Sequence, residues 1–300
     1  MDEFCCADFS NESQETEMKK RVILIMTMIL FFLLGVLLVL LKRERDVELV
    51  QTDIVEKEQV AETEEERTDI EIEFIDKSPL SDLSELEAGT VVDKERIVAE
   101  NWGNYFTSNE IGKDILARIK GKSFPENALI SLEELRYIKV LHYNYNHEVQ
   151  VGELIVNQAI AQDCVNIFRE LFEIEYEVES MRLIDDYWTG DGVESDTNSI
   201  AHNNTSAFNY RVVPGSGHLS NHAKGRAIDL NPLQNPYVKY KSDGSFAHYY
   251  KDMELYLDRN SGKAHMITHQ DDAFKIFRKY GFFWGGDWNS VKDYQHFEKE

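Results

Sequence analysis

The chain has 300 residues, a mass of 34.9 kDa and a net charge of -23. That excess of acid, with no basic stripe, argues against a nucleic-acid partner, because neutralising phosphates takes clustered Lys and Arg. The charge is also unevenly spread: residues 44–93 carry eighteen acids against four bases, and all nine His, all four Trp and all fourteen Tyr lie beyond position 100.

Residues 1–21 read as a short tail ahead of an apolar run. From Val22 to Leu41 the sequence VILIMTMILFFLLGVLLVLL contains no charge, and Lys19, Lys20, Arg21 precede it while Lys42, Arg43, Arg45 follow. Twenty apolar residues match one bilayer span, and the absence of a small-residue cleavage pattern makes it a retained anchor. The flanking charges are balanced, so they assign no orientation. Cys5 and Cys6 lie ahead of the span and Cys164 far beyond it, which is no disulfide framework.

Residues 42–93 read as a disordered acidic linker, too charged and too poor in aromatics to collapse. A flexible chain of that length spans roughly 40 Å, and like-charge repulsion extends it. From residue 94 to 300 the composition becomes globular.

Within this part, Arg136–Tyr143 and Glu148–Val156 are rich in β-branched and aromatic residues around a turn at Asn144–His147, which predicts a hairpin. Gln158–Phe172 places Ala161, Cys164, Phe168, Leu171 and Phe172 on one stripe behind a capping Asn157, an amphipathic helix. Phe208–Val213, Ala227–Leu230 and Tyr294–Phe297 read as short strands, and Asp271–Tyr280 as a helix stopped by Gly281. Without βαβ alternation, the fold class is α+β.

The residues that carry chemistry are concentrated in Ser220-Asn221-His222-Ala223-Lys224-Gly225-Arg226-Ala227-Ile228-Asp229, then Trp284-Gly285-Gly286-Asp287-Trp288 and Asp293-Tyr294-Gln295-His296-Phe297. Two imidazoles (His222, His296) and a carboxylate (Asp229) are donors that a catalytic zinc accepts in three positions, leaving the fourth open. By residue type alone such a trio also occurs by chance.

These segments resemble the zinc D-alanyl-D-alanine carboxypeptidases, the family that includes vancomycin-resistance D,D-peptidases and phage L-alanyl-D-glutamate endolysins. The Ser-x-His-x-x-Gly-x-Ala-x-Asp pattern runs from Ser220 to Asp229. Asn203–Arg211, Asn231-Pro232, Asn235-Pro236-Tyr237, Trp-Gly-Gly-x-Trp and Asp-x-x-His-Phe extend the likeness over roughly residues 110–300. The resemblance implies a hedgehog/DD-peptidase-like domain with Zn2+ held by His222, Asp229 and His296, a general base at Asp293 and a cationic stabiliser at Arg211. Some relatives carry Glu where Asp293 stands.

It further implies peptidoglycan stem peptides as substrate. That places the catalytic domain outside the cell membrane, with the amino terminus in the cytoplasm. D-alanyl-D-alanine carboxypeptidase activity is expected; L-alanyl-D-glutamate endopeptidase activity, a non-catalytic wall-binding module and an intracellular hydrolase are the alternatives.

Neighbouring residues compete for roles. Arg211 also fits an ordinary structural ion pair. His218, four before His222, lacks the Glu of a His-Glu-x-x-His helix and stands beside Gly217, so it reads as a supporting or exposed residue. Ser220 reads as a hydrogen-bonding partner near the metal, since no Gly-x-Ser-x-Gly elbow surrounds it. Trp284 and Trp288 either line the cleft or pack the core, and Asp287 reads as a loop residue. His142, His147, His202, His248, His265 and His269 are expected at the surface.

Overall fold

The computed structural model describes residues 78–300 except 214, 249 and 250. Its first layer grows from the hairpin. Strands β1 (Val91–Val92), β2 (Thr107–Asn109), β3 (Leu135–Tyr143) and β4 (Val149–Asn157) form an antiparallel sheet in the order β1-β4-β3-β2. The β3–β4 turn closes because Asn144 Oδ1 accepts from the N–H groups of Asn146 and Glu148, both at 2.9 Å.

Helix α1 (Trp102–Tyr105), α2 (Lys113–Ile119) and the long α3 (Gln158–Glu173) follow from local sequence. Asn157 caps α3 by accepting from Ala159 N–H at 3.0 Å. The buried stripe of Ala161, Cys164, Phe168, Leu171 and Phe172 joins the main core, and each such side chain taken from water is worth about 1.5–3 kcal/mol when large. Cys164 is a buried free thiol.

The second half is built from short pieces. Strand β5 (Ser180–Met181) pairs in parallel with β6 (Asn204–Thr205), with α4 (Gly192–Ala201) between them in sequence. Beyond them come β7 (Ala227–Asp229), β8 (Tyr237–Tyr240), β9 (Phe246–His248), helix α5 (Asp272–Lys279), β10 (Phe283–Trp284), β11 (Val291–Asp293) and β12 (His296–Glu298). They form two antiparallel sheets, β10-β12-β7 and β11-β8-β9. Phe277 of α5 stacks on Phe297 of β12 at 4.1 Å and meets Phe168 of α3 edge-on at 6.4 Å, so one core joins the halves. The mixture of helices and antiparallel sheets is α+β.

Two sequence expectations change. The acidic linker was expected to run to residue 93, but Leu80, Leu83, Ala88 and Val92 are buried. Val92 pairs with Val149, and Gly89 N–H donates to Val151 at 2.7 Å. Apolar Leu80, Leu83 and Leu86 recur every third residue among the acids, so one face packs while the charges remain outside, a pattern that average composition conceals. Residues 42–77 of that linker lie outside the described residues.

Phe208–Val213 is not a strand. Its amides go to different neighbours, Phe208 to Ile155, Asn209 to His222 and Tyr210 to Ser123, and only Val212 bridges to Leu219. Phe208 is buried, whereas Val212 and Val213 are exposed, so the β-rich composition here marks no sheet pairing. Among the described residues no helix is long and apolar enough to cross a membrane; the span read at 22–41 lies outside them.

Candidate metal centre

His222 opens a short 3-10 turn, His222–Lys224, that ends at Gly225 with φ +65°. This turn is pressed against the start of α3. Gly225 accepts from Asn157 N–H at 2.7 Å, and Asn157 Nδ2 donates to the Lys224 carbonyl at 3.1 Å. A Cβ on residue 225 would stand 2.6 Å from Asn157 N, so both the left-handed backbone and the close approach require glycine. The imidazole is then oriented by its Nδ1–H, which donates to the Ala207 carbonyl at 2.6 Å and leaves Nε2 as the free donor atom.

Asp229 ends β7 and His296 begins β12, and they are cross-strand partners. His296 Nδ1 lies 3.0 Å from Asp229 Oδ1 and 3.2 Å from His222 Nε2, and Asp229 Oδ2 lies 3.3 Å from His222 Nε2. All three residues are buried, and one ligand atom from each falls within 4.8 Å of the others. On its far side His296 Nε2–H donates to Glu298 Oε2 at 3.1 Å, and Asn221 Nδ2 donates to the same oxygen at 2.6 Å. Gln295 Nε2 donates to Asp229 Oδ2 at 3.2 Å.

The electrostatics match a cation site. Burial alone would raise the Asp229 carboxyl, yet His222 and His296 hold it far below the usual range. Burial would lower His296, but its bonds to Asp229 and Glu298 outweigh this and push it up to about 10. Two oriented imidazoles and one carboxylate, all buried, fit a zinc ion once His296 Nδ1 gives up its proton, and each ring has an outer partner that holds its orientation.

Asp293 ends β11 and pairs with Tyr237 of β8, while His296 three residues on belongs to the other sheet. Tyr294 and Gln295 carry the chain between the sheets. Asp293 Oδ1 is buried and has no hydrogen-bond partner among the described residues. Burial first, and then the Asp229 charge, push its carboxyl up to about 7. Gly285 lies against it, since a Cβ there would approach Asp293 O to 2.6 Å.

Asp293, Arg211 and the His-Asp-His group all line one cleft of about 400 Å³, with Ser220, Trp288, Ile200, Val213 and Leu219 in its wall. Arg211 is in the cleft and in an ion pair at once: Nη2 donates to Asp196 Oδ2 at 2.7 Å. Burial raises the Asp196 carboxyl, with Arg211 opposing.

The structure separates the other sequence-predicted residues. Ser220 Oγ accepts from His222 N–H at 3.2 Å. His218 is exposed, its N–H on Ser216, and lies outside the cleft. Trp284 is also outside: it is buried in the core, Nε1 donating to Tyr294 O at 2.8 Å, whereas Trp288 packs on His296 at 5.1 Å. Asp287 is exposed and paired with His269 at 2.7 Å. His147, His202 and His269 are exposed and His265 is partly covered by a stack on Tyr145; the His248 side chain lies outside the described residues.

His142 corrects the surface expectation. It is 3% exposed, its Nδ1–H donating to Val178 O at 2.8 Å, and burial lowers its pKa to about 4. Its strand neighbours Leu141 and Tyr143 are 0% and 2% exposed, so this end of β3 is covered on both faces and the imidazole is buried with them.

Sequence reasoning missed Asp196, Gln295 and Glu298. Glu298 was within reach, because on a strand residue i+2 shares the face of His296. Asp196 was not, since α4 meets the cleft only through the tertiary fold.

A family model described as D-alanyl-D-alanine carboxypeptidase matches residues 214–299. Searches of curated proteins and of solved structures find no match. The matched span contains His222, Asp229, Asp293 and His296, and this stretch of the chain is therefore similar to a peptidase family.

Proposed function

We propose that this protein is a membrane-anchored zinc peptidase with a hedgehog/DD-peptidase-like domain that removes the terminal D-alanine from peptidoglycan stem peptides. The observation that carries the reading is the convergence of His222 Nε2, Asp229 and His296 Nδ1 in a cleft that also contains Asp293. A purely binding module has no use for a buried carboxylate without a partner beside a metal-ligand set. The family match over 214–299 supports the peptidase class, and the apolar run at 22–41 supports the anchor; the extracytoplasmic side follows from the proposed peptidoglycan substrate and not from the run itself.

His222, Asp229 and His296 hold the ion. Zinc, when bound, supplies electrophilic polarisation of an amide carbonyl and activation of water near neutral pH. Asp293 takes a proton at Oδ1 and returns it to the leaving amine, a task suited to a group poised near 7. Arg211 presents a permanent charge toward the cleft, and Asp196 holds its guanidinium in place. Trp288 and the Ile200, Val213, Leu219 wall limit access of water.

The test is mass analysis of purified peptidoglycan fragments after incubation with the zinc-loaded full-length chain. Release of one D-alanine from pentapeptide stems is expected. Cleavage between the first two stem residues would make it an endopeptidase, and intact fragments would rule out the peptidase reading.

A further inference from the structure

We propose that Lys239 receives the carboxylate at the end of the substrate and thereby makes the enzyme select chain ends. The proposal rests on the peptidase reading above and adds the residue that sets its specificity. Four carboxylates line the cleft, Asp196, Asp229, Asp293 and Glu298, against two cations, Arg211 and Lys239. A substrate carboxylate entering such a site is repelled unless a cation with charge to spare meets it.

Arg211 is already committed. Its Nη2 is bound to Asp196 at 2.7 Å, with only 11% and 15% of the two side chains exposed, so the guanidinium is held in place in the cleft and is not free to follow a chain end. Lys239 differs. It is exposed at the cleft, and its ammonium makes no hydrogen bond or ion pair with another described residue.

The register of β8 puts this charge where a chain end falls. Tyr237 is directly opposite Asp293, and Lys239 is two residues further on the same face, about 7 Å along the strand. A peptide whose scissile amide lies beside Asp293 carries its terminal carboxylate one residue onward, about 3.5 Å. The flexible lysine stem closes the remaining gap, and a compact ammonium at the solvent margin suits a carboxylate that stays partly hydrated. An internal bond offers no anion at this position, so the same lysine contributes nothing to its binding.

The experiment compares diacetyl-L-lysyl-D-alanyl-D-alanine with its C-terminal amide on the full-length chain, unaltered and as Lys239→Gln, Lys239→Glu and Lys239→Arg. The unaltered protein is expected to prefer the acid. Lys239→Gln raises KM for the acid roughly fivefold to tenfold, the scale of one charged hydrogen bond near solvent, so that the two peptides become alike. Lys239→Glu raises it further, and Lys239→Arg restores the preference. Equal handling of acid and amide by the unaltered protein, or the same factor on both in Lys239→Gln, overturns the proposal. If neither peptide is cleaved, the peptidase reading fails while calorimetric binding of the two peptides still decides the lysine's role. A preference for the acid that vanishes in Lys239→Gln supports it, and equal binding overturns it.

Discussion

Asp229 and His296, separated by 67 residues, stand directly opposite each other in the β7–β12 ladder with His296 Nδ1 3.0 Å from Asp229 Oδ1. Cross-strand pairing sets two of the three ligand atoms from backbone geometry, and His222 is brought to them by a turn locked against Asn157. The donor set is thus held before any ion arrives, which reduces the ordering cost of binding.

One zinc per chain is expected, and the double variant His222→Ala with His296→Ala should lose it. Glu298→Gln replaces the charged acceptor that orients His296 with a neutral amide and should weaken zinc by roughly 10–100-fold, measured by competition with a chelating dye. His296 holds its proton up to about 10, so binding must displace it and affinity should fall as pH is lowered. Unchanged affinity in Glu298→Gln would remove this carboxylate from the site's support.

Asp293→Asn should retain zinc and lower turnover by roughly 10²–10⁴-fold, the contribution of a positioned proton-transfer group. Asp287→Asn is the control, because that carboxylate is exposed and paired with His269. Loss of zinc from Asp293→Asn would reassign Asp293 as a ligand.

Gly225→Ala is expected to cost about 1–3 kcal/mol and to loosen His222. The added Cβ meets backbone, Asn157 N at 2.6 Å and Val156 C at 3.0 Å, in a residue already at φ +65°. Urea melts and zinc affinity should both show the loss; a variant equal to the parent in both would mean that the turn yields freely.

His142 predicts an acid-sensitive fold. Its pKa is about 4 when folded against an ordinary 6.5, so between those values the unfolded chain binds the proton and the folded chain does not. Stability from this group is complete above pH 6.5 and falls by about 3 kcal/mol as pH drops to 4. Urea melts across this range should be flatter for His142→Leu than for the parent, and an identical pH slope would remove His142 as the cause.

Leu83→Ala should destabilise the domain by about 2–5 kcal/mol, since Leu83 is 1% exposed in the main core. A chain beginning at residue 94 should lose more, because β1 and its pairing with β4 go as well. Equal melting temperatures for chains starting at 78 and 94 would show that this segment contributes nothing.

Sequence alone determined what depends on local pattern. The hairpin, α3 with its Asn157 cap, and the helix stopped at Gly281 were legible because each declares itself within a few residues through alternation, periodicity and capping. His222, Asp229, Asp293 and His296 were named through the resemblance of their motifs to a peptidase family, and the structure brings all four to one cleft. Tertiary structure alone decided what depends on which segments meet. The pairing of Arg211 with Asp196, the burial of His142 and the packing of Leu80, Leu83 and Val92 each join groups from separate elements, and composition averages such groups away. The same holds for the two tryptophans of one motif: alike in sequence and separated by the 3-10 turn Gly285–Asp287, Trp284 fills the core and Trp288 lines the cleft.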